Sequence, residues 1–224
     1  MTEAELHDLE DRACPGAGAC GGQFTANTMS TAMTILGISP MGANDIPALD
    51  ERKGEAAYRC GEMVLDLLRK DIRPSRIITR ATLENAITSV AATGGSTNAV
   101  LHLLAIAYES GVPLALEDFD RIASRTPVIA DLKPGGRFTA PDMDRAGGIR
   151  LLTKRLLEAD LICDHLTVSG TIHIRCDGEV RQAGFFRLSR SRHDHRLTKP
   201  PPFSPTSSPA HQTRTPNEVA HSFP

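Results

Sequence analysis

Two cysteines, Cys14 and Cys20, stand six positions apart in "ACPGAGACGGQFTANTM", residues 13–29. Glycines 16, 18, 21 and 22 surround Cys20, and the run passes into a segment that reads as a helix start. Iron–sulfur centres need thiolates, and glycines let backbone N–H groups approach the sulfurs with no side chain in the way. The start of a helix adds a dipole that favours negative charge and lowers a thiol pKa. The Cys-x5-Cys spacing matches no standard zinc arrangement. Residue types and spacing leave two readings open: a tight structural loop that holds two small thiols, or a loop that presents Cys20 to an inorganic centre.

A second candidate is "GGSTN", with Ser96, Thr97 and Asn98. Hydroxyl and amide donors at a helix N-terminus suit an anionic substrate; Ser96 or Thr97 can equally serve as a simple helix cap. His102 falls on a strongly apolar helix and reads as a hydrogen-bonded core residue rather than a ligand. Cys60 reads as packed in an amphipathic helix, and Met29 and Met33 as core positions. Cys163 and Cys176 have no ligand-like neighbourhood.

The elements that must position these groups are mostly helical. After the glycine loop, Thr25 or Asn27 can cap a helix carrying Met29, Met33 and Leu36, with Gly37 placed to end it. "SPMGANDIPALD" reads as a loop. Asp50 can cap a longer helix whose Tyr58, Met63, Val64, Leu67 and Leu68 make an apolar face before Pro74. Ile77 and Ile78 form a short extended piece, followed by a helix with Leu83, Ile87 and Val90 that Gly94 and Gly95 break. "TNAVLHLLAIAYES" and "LEDFDRIAS" are helices, "TPVIADLKP" a short buried strand before a turn at Gly135 and Gly136. "APDMDRAGGIRLLTKRLLEADLI" gives one or two further helices, broken at Gly147 and Gly148. From about residue 171 periodicity is lost and Pro, Ser, Arg and His dominate. Residues 171–224 therefore read as a divergent, disordered tail.

With 224 residues, one domain plus a tail is the natural expectation. A net charge of −2 leaves no basic footprint for nucleic acid. No apolar run approaches the ~20 residues needed to cross a bilayer, and the acidic N-terminus does not resemble a signal peptide. Five scattered cysteines make a poor disulfide framework and fit a reducing compartment. These features predict a cytoplasmic protein, or an organellar one if its source is eukaryotic, with a small-molecule substrate, no nucleic acid and no membrane.

"CPGAGACGGQFTANTM" closely resembles the central motif of the dihydroxy-acid/6-phosphogluconate dehydratase family. "TGGSTNAVLHLLAIA" (93–107), "IADLKPGGRF" (129–138), "MDRAGG" (143–148) and "LTVSG" (166–170) follow in the family's order and at its usual separations. The resemblance covers roughly residues 5–170 and implies a helix-rich α/β fold, part of the family's N-terminal domain (residues 1–170 here), with the C-terminal β-barrel domain absent. "FTANTM" resembles the form for branched-chain dihydroxy acids rather than sugar acids. The implied reaction removes water from a 2,3-dihydroxy-3-methyl carboxylate to give a 2-keto acid, in branched-chain amino-acid biosynthesis. The implied cofactors are a [2Fe–2S] cluster, with Cys20 as a ligand and Ala17 in place of an additional cysteine, and Mg2+. Cys14 then has no ligand role. Ser96, Thr97 and Asn98 would contact substrate, and the intact family would be homodimeric. The family's upstream cluster cysteines, magnesium ligands and serine base have no counterparts among these motifs, so no catalytic base is assigned. The resulting expectation is a truncated dehydratase, inactive alone. The alternatives are a non-catalytic remnant that associates with an intact homologue, or a fragment of a sugar-acid dehydratase.

Overall fold

The computed structural model describes residues 1–13, 18 and 20–172. Their secondary structure is helical apart from one small ribbon. Helix α1 (Glu3–Ala13) has no buried residue. Helices α2 (Thr25–Leu36), α3 (Arg52–Arg69), α4 (Pro74–Ile77) and α5 (Arg80–Ala92) follow. Then come α6 (Asn98–Glu109), α7 (Leu116–Arg125), α8 (Ala140–Ala146) and α9 (Gly148–Glu158). Strands β1 (Leu166–Thr167) and β2 (Gly170–Thr171) close the described chain as an antiparallel pair, with Leu166 opposite Thr171. This is the helix-rich architecture predicted, with few and short strands. Among the described residues no helix is long and apolar enough to cross a membrane. Residues 173–224, with Cys176 and nearly all of the predicted tail, lie outside the described residues, as does Cys14.

Helices α2 and α5 pack along each other at the centre. One core cluster joins Ala32 and Leu36 of α2 to Leu83, Ala86 and Ile87 of α5, with Leu103, Ala107 and Ile122 from α6 and α7. A second joins Ile35 and Ala92 to Ile129, Ala130 and Leu132 and to Met143, Ile149, Leu152 and Leu156 of α8 and α9. The central pair is rich in buried threonine: Thr28, Thr31 and Thr34 on α2, Thr82 and Thr88 on α5. A buried hydroxyl without a partner is costly. Here each hydroxyl returns to a backbone carbonyl of its own segment, as Thr31 does to Asn27 (2.9 Å) and Thr34 to Ser30 (2.8 Å). The threonines therefore pack as small, satisfied side chains.

Local signals explain several helix ends. Gly37 ends α2 at φ 97°, in the left-handed region that glycine tolerates best. Thr79 and Thr82 form a reciprocal capping pair at α5. Asp50 accepts the Arg52 N–H at 2.9 Å and also its guanidinium, which holds the Asp50 carboxyl down at about 2. Arg80, Glu84, Asp118 and Arg121 form an ion-pair group that joins α5 to α7.

Four expectations need correction. Residue Phe24, not Thr25 or Asn27, occupies the α2 cap position, and it makes no side-chain cap bond. The "TPVIADLKP" segment buries Ile129, Ala130 and Leu132 as predicted but forms no strand. The Ile129 and Ala130 N–H groups both go to the Ala92 carbonyl, and Leu132 makes only an isolated bridge to Phe138. Ile77 belongs to the single helical turn of α4, which Pro74 starts, and only Ile78 is extended. The apolar face expected on α3 does not point into the protein. Tyr58, Val64 and Leu68 are exposed, no α3 residue is buried, and the inward side consists of half-buried Ala56, Cys60, Met63 and Leu67.

Candidate functional site

Cys20 sits half-buried in a loop whose backbone is tied down carbonyl by carbonyl. The side-chain amide of Asn27, on the first turn of α2, donates to the Cys20 carbonyl at 2.6 Å and to the Gly22 carbonyl at 2.7 Å. The Gly21 carbonyl accepts the Ala140 N–H at 3.0 Å. The Cys20 thiol itself points to the Gly22 carbonyl at 3.5 Å. The next residue, Gln23, is 3 % exposed. Its N–H donates to the Lys133 carbonyl at 2.6 Å and its side chain to Thr93 at 3.0 Å. Gly22 is needed here for a steric reason: a β-carbon would stand 2.7 Å from the Lys133 carbonyl oxygen. The loop is therefore clamped between the start of α2 and the Leu132–Phe138 turn.

Beside it lies the second predicted group. Ser96 Oγ and Thr25 Oγ1 are 3.3 Å apart, and the Asn98 amide donates to Thr25 Oγ1 at 2.8 Å. Ser96 N–H donates to Thr28 Oγ1 at 3.0 Å, and Ser96 Oγ accepts the Asn98 N–H at 3.3 Å. The starts of α2 and α6 are thus joined by hydroxyls and one amide. Ser96 and Asn98 are drawn into this network, whereas exposed Thr97 makes no side-chain cap bond. The sequence offers Thr25 only as a cap, yet it is the residue that brings Ser96 and Asn98 together. A polar pair of helix starts of this kind can hold an anionic group.

The remaining candidates lie elsewhere. His102 is exposed, contrary to the core reading. Helix α6 buries Ala99, Leu103 and Ala107 along one stripe, and His102 falls one residue off it. Met29 and Met33 are half-buried, and Met33 packs at the edge of the α2–α5 core. Half-buried Cys60 lines an apolar groove of about 410 Å³ between α3 and the loop holding Pro40, Met41 and Ile46. Exposed Cys163 is tied to Asn85, which accepts its N–H at 3.1 Å and donates to its carbonyl at 2.8 Å.

Two features escaped sequence reasoning. The clamp by Asn27 left one trace, an asparagine just past a helix start whose cap role is redundant. Asp45 left none. Its Oδ2 accepts the Ile149 N–H at 2.7 Å at the start of α9, while its Oδ1 is buried without a partner. Burial first, then the Asp144 charge, push its carboxyl up to about 6 against the opposing pull of the Ile149 N–H and Arg150.

The donor set bears on the implied cluster and Mg2+. At the loop, one thiol is held in a glycine-lined turn with its carbonyls engaged, which suits one ligand position of a sulfur-bridged centre. A complete centre needs several such ligands. Among the described residues no three His, Cys, Asp or Glu side chains stand together to hold a metal ion. These residues therefore do not by themselves fit a whole cluster or a magnesium site.

The sequence also matches known proteins. The N-terminal model of the dihydroxy-acid/6-phosphogluconate dehydratases matches residues 1–174. A protein of Koribacter versatilis named dihydroxy-acid dehydratase is 64% identical over 171 residues, 76% of this chain and 30% of that protein. Another from Roseiflexus sp. is 56% identical over 171 residues, 76% of this chain and 31% of that protein. A third from Thermus thermophilus is 54% identical over 162 residues, 72% and 29% of the two chains. The chain spans about three-tenths of the length of these relatives.

Proposed function

Because the chain belongs to the dihydroxy-acid/6-phosphogluconate dehydratase family, we propose that it carries part of a dihydroxy-acid dehydratase site, with Cys20 as one ligand of a [2Fe–2S] cluster. The reaction is the loss of water from a 2,3-dihydroxy-3-methyl carboxylate to give a 2-keto acid. The relatives' shared name supports dihydroxy acids over sugar acids as the substrate class. Ser96 and Asn98, joined through Thr25, are the donors proposed for the substrate carboxylate, with Thr97 at the rim. The observation that carries this reading is the clamped Cys20 loop, whose Cys20, Gly21 and Gly22 carbonyls are engaged within the protein. Among the described residues Cys20 is the only thiol of this loop, and no three His, Cys, Asp or Glu side chains stand together to hold a metal ion. We therefore propose that the isolated chain does not turn over, and that Mg2+ and the remaining cluster ligands are supplied outside these residues.

The test compares the chain with Cys20→Ser after reconstitution with iron and sulfide, measuring bound iron, bound sulfide and keto acid formed from 2,3-dihydroxyisovalerate. The expected result is weak iron and sulfide retention, well short of one cluster per chain, that depends on Cys20, with no turnover in either form. Equal retention by Cys20→Ser removes the ligand assignment, and turnover by the chain alone removes the incomplete-site reading. One feature favours a second reading, association with an intact homologue: the outer side of α3 exposes Tyr58, Val64, Leu65 and Leu68 together. Co-purification with a full-length relative, lost in Leu65→Glu, would establish it.

A further inference from the structure

We propose that Asn27 is the positioning residue of the Cys20 loop, its one amide group fixing the backbone from which the thiol projects. The proposal deepens the function above and takes its significance from Cys20 being a ligand; the geometry stands without that. Two carbonyls two residues apart converge on the same side-chain NH2, at 2.6 Å and 2.7 Å. They can do so only if the chain folds back at Gly21, whose own carbonyl is held by the Ala140 N–H. The peptide planes that follow Cys20, Gly21 and Gly22 are thus fixed in sequence, and rotation about the Cys20 side chain is the main freedom left to the sulfur.

The anchor is stiff. Asn27 lies in the first turn of α2, where Thr31 closes onto its carbonyl at 2.9 Å and the adjoining Thr28 is fully buried. A cap role does not account for this residue, since α2 has no side-chain cap bond. Nor can a near neighbour in chemistry replace it. Aspartate has the same shape but no donor, and it would set a carboxylate against two carbonyl oxygens. Glutamine carries the donor one methylene too far out.

The test uses the whole chain and reads the alkylation rate of each cysteine with iodoacetamide by peptide mass spectrometry, Cys60 and Cys163 serving as internal references. Opening of the loop exposes a half-buried thiol, so Asn27→Ala should raise the Cys20 rate about tenfold and leave the references within about twofold. Asn27→Leu, close to the wild type in side-chain volume and without either a donor or a charge that would alter the thiolate fraction, should raise it comparably, and it decides the matter if the alanine variant does not fold. An unchanged Cys20 rate in either folded variant overturns the proposal. So does a parallel rise at all three cysteines, which would mean that Asn27 merely stabilises the whole fold. Iron and sulfide retention by Cys20→Ser tests the ligand assignment separately, so either idea can fail without the other.

Discussion

Helices α2 and α3 present opposite relations between sequence pattern and burial. Helix α3 carries a strong alternation of apolar and charged residues over 18 positions, yet none of its residues is buried. Helix α2 is shorter and sprinkled with threonine, yet Thr28, Thr31, Ala32, Thr34, Ile35 and Leu36 are all buried. An apolar stripe states that a helix can profit from a partner; it does not state where that partner is. Burial of α2 comes from helices α5, α6 and α9 meeting it on several sides. The hydroxyls of its buried threonines pose no obstacle, because those of Thr28, Thr31 and Thr34 each donate to a carbonyl close by in the same chain segment.

The sharpest break of this comparison is a pair of truncations. Leu83→Ala in α5 removes a fully buried side chain and should cost about 2–5 kcal/mol in urea unfolding, whereas Leu68→Ala on the outer side of α3 should stay within about 0.5 kcal/mol. A large cost at Leu68 would show that α3 packs against something in solution. Next in size is Thr28→Val, nearly the same in volume. It deprives the Ser96 N–H of its acceptor and the Gln23 carbonyl of its donor, and should cost about 1–3 kcal/mol by the same measurement. The smallest effect concerns Asp45. Because its carboxyl is raised to about 6 in the folded chain, its contribution is fully present below its ordinary value of 3.8 and is lost as pH rises through 6. Thermal melts should therefore show stability falling by about 1–2 kcal/mol between roughly pH 4 and pH 7, once neighbouring solvent is allowed for. In Asp45→Asn, which keeps an acceptor for the Ile149 N–H, that slope should flatten. A slope unchanged by the substitution would assign it to other carboxylates.

Much of the architecture was legible because helices announce their ends locally. Gly37, Pro74 and the Gly147–Gly148 break all mark boundaries that the structure keeps. Contacts made between segments far apart in the chain were not legible. Periodicity gave no sign that the Ala92 carbonyl takes both N–H groups that a strand at Ile129 would have used, or that α6 turns His102 outward. Within the candidate site, the tight turn at Cys20 was legible in its glycines, of which Gly22 leaves no room for a β-carbon. Most of the machinery around it was invisible: Lys133 and Ala140 reach the loop through a backbone carbonyl and an N–H that any sequence possesses, and only the Asn27 side-chain amide is a matter of residue type.

That last feature has an effect on how this protein can change. The turn at Lys133 presses its carbonyl against Gly22 and takes the Gln23 N–H, so the room available to the cysteine motif is determined by a hairpin bend encoded far downstream. Insertions or deletions in that bend would register as damage to the thiol's cradle, although no residue of the motif had been touched. In laboratory evolution the two stretches should drift together or not at all.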